Sequence, residues 1–285
     1  MTPTLVRQHL SHTEDALCVD RGARARDWSE IQERMLVPLY EAVYERLEVG
    51  PATRLLSLGC GSGLALVMAA SRGAAVTGVD GSSPERLALA RERLLPQAWG
   101  TRTRGATRLV DGTPPDAADA QAPAYTLVTA FEPIGCLAGD SEGLGDLLTS
   151  ATPLAERGAH VVLAGWGPPE RCAASSVLRV GTKLADPLRG TGSWRPALRD
   201  DLEEVAQRAG LRPDGSGRVA CPFGYADLDS AVRGLLSTGL FDAAIAATDQ
   251  ERVDKELTEA LHPHQRPGGT VWMPNVFRYL IARVP

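Results

Sequence analysis

Apolar residues fall into two rhythms along this chain. Leu55-Leu56-Ser57-Leu58, Val76-Thr77-Gly78-Val79, Tyr125 to Phe131 and His160 to Ala164 are short, nearly unbroken apolar runs. Runs of this length bounded by turn residues read as strands buried on both faces. Between them the apolar positions recur every third or fourth residue, the period of a helix that buries one face. The pattern predicts strands at about 53–58, 75–80, 108–111, 125–131 and 160–164. It predicts helices at about 62–72 and 142–157, and another opened by the cap Ser83-Pro84-Glu85. Strands alternating with helices imply a parallel sheet covered on both sides, with right-handed crossovers.

The flanking regions read differently. Residues 1–27 are polar and irregular and are expected to form a flexible arm. From Trp28 onward, Ile31, Met35, Leu39, Val43 and Leu47 keep helical spacing, with Pro38 marking a kink or a second helix. Residues 168–197 carry several Gly and Pro, and a helix at about 198–209 and a strand near 217–223 follow. Residues 227–262 read as two helices separated by Ser237-Thr238-Gly239, before a last strand at about 271–283. The expected organisation is one α/β domain over 28–285, with helical lid segments at about 168–197 and 226–265.

The chemistry concentrates where the first strand meets its helix. The turn reads Gly59-Cys60-Gly61-Ser62-Gly63, and the next strand ends in Asp80-Gly81-Ser82. Glycines let the backbone approach a ligand closely, and the N–H groups opening the helix point into the same space. An acid at the end of the second strand is placed to accept from ribose hydroxyls. A dinucleotide turn spaces its glycines as G-x-G-x-x-G, whereas here Leu64 stands at the third position.

This compact G-x-G-x-G with its following acid resembles the class I S-adenosylmethionine (SAM) methyltransferases. Trp28-Ser29-x-Ile31-Gln32, Pro38-Leu39-Tyr40, Gly165-Trp166-Gly167 and Asn275-Val276-Phe277-Arg278-Tyr279-Leu280 extend the likeness toward the ubiquinone/menaquinone-type branch. The resemblance implies a Rossmann-like, seven-stranded, mostly parallel sheet with N-terminal helices and a helical lid before the last strand. It implies SAM as cofactor, with Ser57, Gly59, Cys60, Gly61, Ser62 and Gly63 along the methionine and ribose parts. Asp80, Gly81 and Ser82 would attend the ribose, Asp111 and Gly112 the adenine, and Phe131 and Glu132 the transferred methyl. Relatives carry an acid where this chain has Ser57, and Glu132 is a candidate to hold the ammonium group in its place.

Composition narrows the partners. The net charge of −5 gives no basic footprint for nucleic acid, and no apolar run is long enough to cross a membrane. A cytoplasmic protein acting on a small-molecule acceptor, possibly of specialised metabolism, is expected; the lid points to a medium-sized hydrophobic acceptor. The five cysteines are scattered without a C-x-x-C pair, so neither a disulfide framework nor a zinc site is indicated. Cys60 reads as a small steric element of the turn.

Catalytic candidates are Glu132, at the end of the fourth strand, and His264, between the lid and the last strand. A surface-turn role competes for His264, and His160 reads as structural. Trp28, Tyr40 and Trp166 are candidate substrate walls or simply core. A methyltransferase is the first reading. An enzyme of the same scaffold that cyclises or rearranges its substrate without methylating it is the alternative, and a non-catalytic SAM-binding module a third.

Overall fold

A computed structural model of the chain describes residues 20–95, 107–119, 122–135, 140–185 and 201–285. Seven strands form one sheet: β1 (Arg54–Leu58), β2 (Ala75–Val79), β3 (Thr107–Val110), β4 (Tyr125–Ile134), β5 (Ala155–Trp166), β6 (Arg212–Ala220) and β9 (Val276–Arg283). Their order is β3-β2-β1-β4-β5-β9-β6, with β7 (Phe223–Tyr225) and β8 (Val271–Met273) pairing separately. β1 to β5 run parallel, and β9 lies antiparallel between β5 and β6. The chain builds outward from β1 through β2 to β3, then returns to place β4 on the other side of β1. That reversal opens a crevice at the carboxyl ends of β1 and β4, where sheets of this kind bind ligands.

Successive strand residues face opposite layers, so the apolar runs supply two cores. Leu55, Leu127 and Val162 face one layer with Leu39, Tyr44, Leu66, Leu87 and Phe277. Leu56, Val128 and Leu163 face the other with Leu148, Val205 and Leu280. The first layer includes α2 (Val37–Arg46), α3 (Leu64–Ser71) and α4 (Pro84–Leu94); the second includes α5 (Asp140–Ala151) and α7 (Asp201–Arg208).

Several boundaries differ from those read off the sequence. Of the expected arm, residues 1–19 lie outside the described residues, but Arg21–Asp27 form helix α1. Asp20 caps it by accepting from the Ala23 N–H at 2.9 Å, and Arg24 donates to the Leu236 carbonyl at 2.9 Å. Trp28–Gln32 continue as a π-helical turn and Glu33–Leu36 as a 3₁₀ turn before α2. The expected helix through 157 stops at Ala151, because Pro153 cannot extend it, and β5 has begun by Ala155.

The lid is larger than two helices. α8 (Leu228–Leu236), α9 (Asp242–Ala247) and α10 (Gln250–Leu261) lie between β6 and β9 with the β7/β8 pair, and α6 (Ala174–Ala185) packs against α9 and α10. Residues 186–200 of the expected lid and helix lie outside the described residues. The single strand read over 271–283 is two, broken at Pro274-Asn275. Asn275 is 2% exposed and fixes the break: its side chain accepts from Ala174 N–H and donates to the Met273 carbonyl. Likewise the strand read near 217–223 is β6 ending at Ala220 and a separate β7.

Candidate active site

The turn after β1 takes the backbone shape that its glycines allow. Gly61 and Gly63 have φ of 55° and 82°, in the left-handed region where a Cβ is costly. Gly63 is also the N-cap of α3. Asp80 is nearly buried and braces the turn from the end of β2. Its Oδ2 accepts from Gly61 N–H at 2.9 Å, and its Oδ1 accepts from the N–H and hydroxyl of Ser82 at 2.9 and 2.6 Å. A carboxylate has about four acceptor sites, so Asp80 keeps capacity for a further donor. Gly81 lies against Gly112, where an added Cβ would stand 2.9 Å from the Gly112 carbonyl oxygen. Asp111 is exposed on the rim just after β3.

The N-terminal segment comes down onto this turn. The Trp28 indole covers Gly61, its Nε1 standing 3.2 Å from the Cβ position of that glycine. That Nε1 is buried and has no hydrogen-bond partner. Glu33, 2% exposed, reaches the start of α3. It accepts from the Ser62 hydroxyl at 2.5 Å, from Leu64 N–H at 3.3 Å and from Arg93 at 2.8 Å. Negative charge is favoured there by the unpaired N–H groups and the helix dipole. Arg93 also donates to the Ser29 carbonyl at 3.0 Å, tying the segment to α4.

Ser57, Cys60, Tyr40, Phe131 and Glu132 complete the walls. Tyr40 packs on Phe131 at 4.9 Å between ring centroids. Burial pushes the Cys60 thiol up to about 12, helped by the Asp80 and Glu33 carboxylates, so at neutral pH it is a packed thiol and no nucleophile. The space these residues enclose is about 30 Å³, room for a water molecule or two.

A second cavity of about 420 Å³ adjoins it, sharing Arg86 and Glu132 as walls. Arg86 stacks over Trp28, with Cζ 4.2 Å from the ring centroid, and donates to the Ser237 carbonyl at 2.6 Å. Glu132 is exposed to solvent in the cavity, although nearby protein partly desolvates its carboxylate. That desolvation raises its pKa above the ordinary range, while Arg86 pulls in the opposite direction. Burial likewise lowers the pKa of Arg86, with Glu132 opposing.

The site therefore gathers Ser57, Gly59, Cys60, Gly61, Asp80, Phe131, Glu132, Trp28 and Tyr40 around one small cavity. Ser62 is buried beneath it and Ser82 faces the second cavity. Two candidates fall elsewhere. Trp166 packs between Phe277 and Phe223, at 4.6 and 5.8 Å, in the aromatic core under the lid. His264 sits in the 3₁₀ turn after α10 and lines neither cavity, because that turn leads into β8 rather than the crevice. His160 lies on β5 opposite Arg283, away from the carboxyl ends.

Glu33 and Arg86 were missed in the sequence. Each is a charged residue in a helical stretch, where a solvated face is the ordinary reading. The visible signals were the Trp28-to-Gln32 match running directly into Glu33 and the cap Ser83-Pro84 placing Arg86 in the first turn of α4.

No family model and no curated protein matches the sequence. Solved structures do match. BH2331 of Bacillus halodurans C-125, a methyltransferase by name, superimposes with a TM-score of 0.53 at 15% identity, covering 86% of this chain and 98% of that one. This is the methyltransferase fold. YjhP from E. coli gives 0.52 at 19% identity, covering 92% and 99%. The [4+2]-cyclase SpnF gives 0.50 at 16%, covering 87% and 80%. At such identities the likeness carries the fold, and the activity has to be argued from the site.

The site's donors and acceptors suit SAM chemically. The orphaned Trp28 N–H, the unfilled acceptor capacity of Asp80 and the Glu132 carboxylate all face the crevice. Among the described residues no helix is long and apolar enough to cross a membrane.

Proposed function

We propose that the protein is a SAM-dependent methyltransferase acting on a small-molecule acceptor, of the ubiquinone/menaquinone-type branch and cytoplasmic. The observation that carries this reading is the bond from Gly61 N–H to the Asp80 carboxylate at the β1/β4 reversal. It sets an acid with spare acceptor capacity beside a glycine turn and a helix N-terminus. Asp80 would hold the ribose hydroxyls and Asp111 with Gly112 the adenine. The turn from Gly59 to Gly63 would lie along the methionine part, with Glu33 the acid near its ammonium group in the absence of one at position 57.

When bound, SAM would supply an electrophilic methyl group with a neutral thioether as its leaving group. The protein's part is alignment and exclusion of water. Glu132 is the residue best placed to take an acceptor proton, because its raised pKa brings a carboxylate nearer to working pH.

Calorimetry with S-adenosylhomocysteine (SAH) tests the cofactor assignment. Wild-type protein is expected to bind it, and Asp80→Ala to lose about tenfold or more, as for a lost charged hydrogen bond. Equal affinity in the variant would remove Asp80 from the site. A second reading, a non-methylating enzyme on this scaffold, is favoured by Ser57 and by the small cavity under Trp28. Incubation with methyl-labelled SAM and candidate acceptors separates the two, since only the first transfers label.

A further inference from the structure

Arg86 and Glu132 are opposite charges that share two cavities without satisfying each other. Among the described residues the Glu132 carboxylate accepts no hydrogen bond, and no ion pair within 4.0 Å joins it to Arg86. Arg86 is held away from it on two sides, by the Ser237 carbonyl and by the Trp28 ring. A guanidinium carries five N–H donors, and the bond to Ser237 engages one edge of this one. Arg86 is partly buried and Glu132 is open to the cavity, so a ligand that bridges them gains the charge-assisted bonds that they do not give each other.

The bridging group must meet two demands. Arg86 needs an anionic or carbonyl oxygen, ideally a planar pair of oxygens. An ionised Glu132 accepts only, so it needs a donor. A carboxylate alone satisfies Arg86 and repels Glu132. A lone hydroxyl satisfies Glu132 and leaves Arg86 unpaired. A hydroxyl beside an anionic oxygen satisfies both at once.

The rest of the larger cavity agrees. Arg21 and Arg24, the acids Glu85 and Asp242, and the hydroxyls of Ser82 and Thr238 line it too, and Ala25 is its one apolar side chain among the described residues. This departs from the hydrophobic acceptor expected from the lid. Resting on the methyltransferase reading above, we propose that this 420 Å³ cavity is the acceptor subsite and selects compounds with an acidic hydroxyl next to a carboxylate or enolate oxygen. Arg86 holds the anionic oxygen, and Glu132 accepts the proton of the hydroxyl that becomes methylated.

The test is calorimetry on the full chain in saturating SAH, with 2-hydroxybenzoate, benzoate and phenol as probes. The 2-hydroxybenzoate is expected to bind about tenfold or more tightly than either of the others. Arg86→Gln should abolish its advantage over phenol, and Glu132→Gln its advantage over benzoate. The wild-type series decides even if a variant fails to fold: equal affinities for the three probes overturn the proposal. SAH titrated alone reports separately on the cofactor. Hydroxy-acid binding without SAH binding keeps the subsite and removes the methyltransferase reading, whereas SAH binding with no preference among the probes does the reverse.

Discussion

The Arg86 guanidinium lies over the Trp28 ring, 4.2 Å from its centroid, while the same indole closes the space above Gly61. One side chain thus stacks on Arg86, a wall of the larger cavity, and covers the glycine turn. The covered space holds little more than water, so a ligand with a methionine tail must move the indole.

SAH is therefore expected to change the fluorescence of the wild-type protein and to leave that of Trp28→Phe much less affected. An unchanged wild-type spectrum on saturation, shown by calorimetry, would mean that the indole stays in place. Trp28→Ala should also cost about 1–2 kcal/mol in urea unfolding, from lost apolar contact and the stacked cation.

Glu33 is the anchor of the same segment. Its side chain is 3% exposed and its partner Arg93 is 29% exposed, so the pair is only partly solvated. Glu33→Ala leaves the Ser62 hydroxyl and Leu64 N–H without this acceptor at the start of α3, and Arg93 without its carboxylate partner though still bonded to Ser29 and Ser62. We expect a loss of about 2–4 kcal/mol, with a lower urea midpoint and an unchanged slope. Glu33→Gln fills the same space and retains an acceptor oxygen, so it should lose less; equal losses would show that the carboxylate charge opposite Arg93, not volume or a neutral acceptor, matters at this position.

Gly63 joins backbone shape to helix packing. At φ of 82° an alanine is strained, and its Cβ would stand 3.0 Å from Ala90 Cβ and 3.3 Å from Ala90 Cα in α4. The strain and the crowding together should cost Gly63→Ala about 2–4 kcal/mol. Gly158, with a similar φ of 79° and nothing within 4 Å, is the control and should lose only the backbone part. Equal losses at the two positions would mean that α3 and α4 separate to admit the methyl group.

How much of this was legible depended on how local each signal was. Leu55-Leu56 and Val128 showed the sheet because a strand buried on both faces cannot hide its composition. Gly59 to Gly63 and Asp80 showed the crevice because their roles are set by backbone shape and by the end of one strand. Trp166 and His264 stay open between two readings in the sequence because their neighbours come from distant segments: Phe223 and Phe277 for one, the turn into β8 for the other. Glu33 and Arg86 carry only indirect signals for the same reason. A charged residue on a helix reads as solvated until the fold places Ser62 or Trp28 against it.

Glu132 gives the prediction that links site and stability most directly. Burial raises its pKa; Arg86 offsets part of this, and the Asp80 and Asp140 carboxylates add to it. An unfolded chain ionises this glutamate near its ordinary value of about 4.3. Between that value and the raised one, the folded protein retains a proton that the unfolded chain has lost. Stability from this site therefore falls as pH rises through that window and levels off above it. Glu132→Gln has no proton to retain, so its stability relative to wild type should improve as pH rises from about 4 toward neutrality. Urea unfolding of both proteins across that range measures the difference directly. A constant offset would mean that Glu132 ionises as freely as a surface glutamate, and the case for it as the proton acceptor would lose its electrostatic basis.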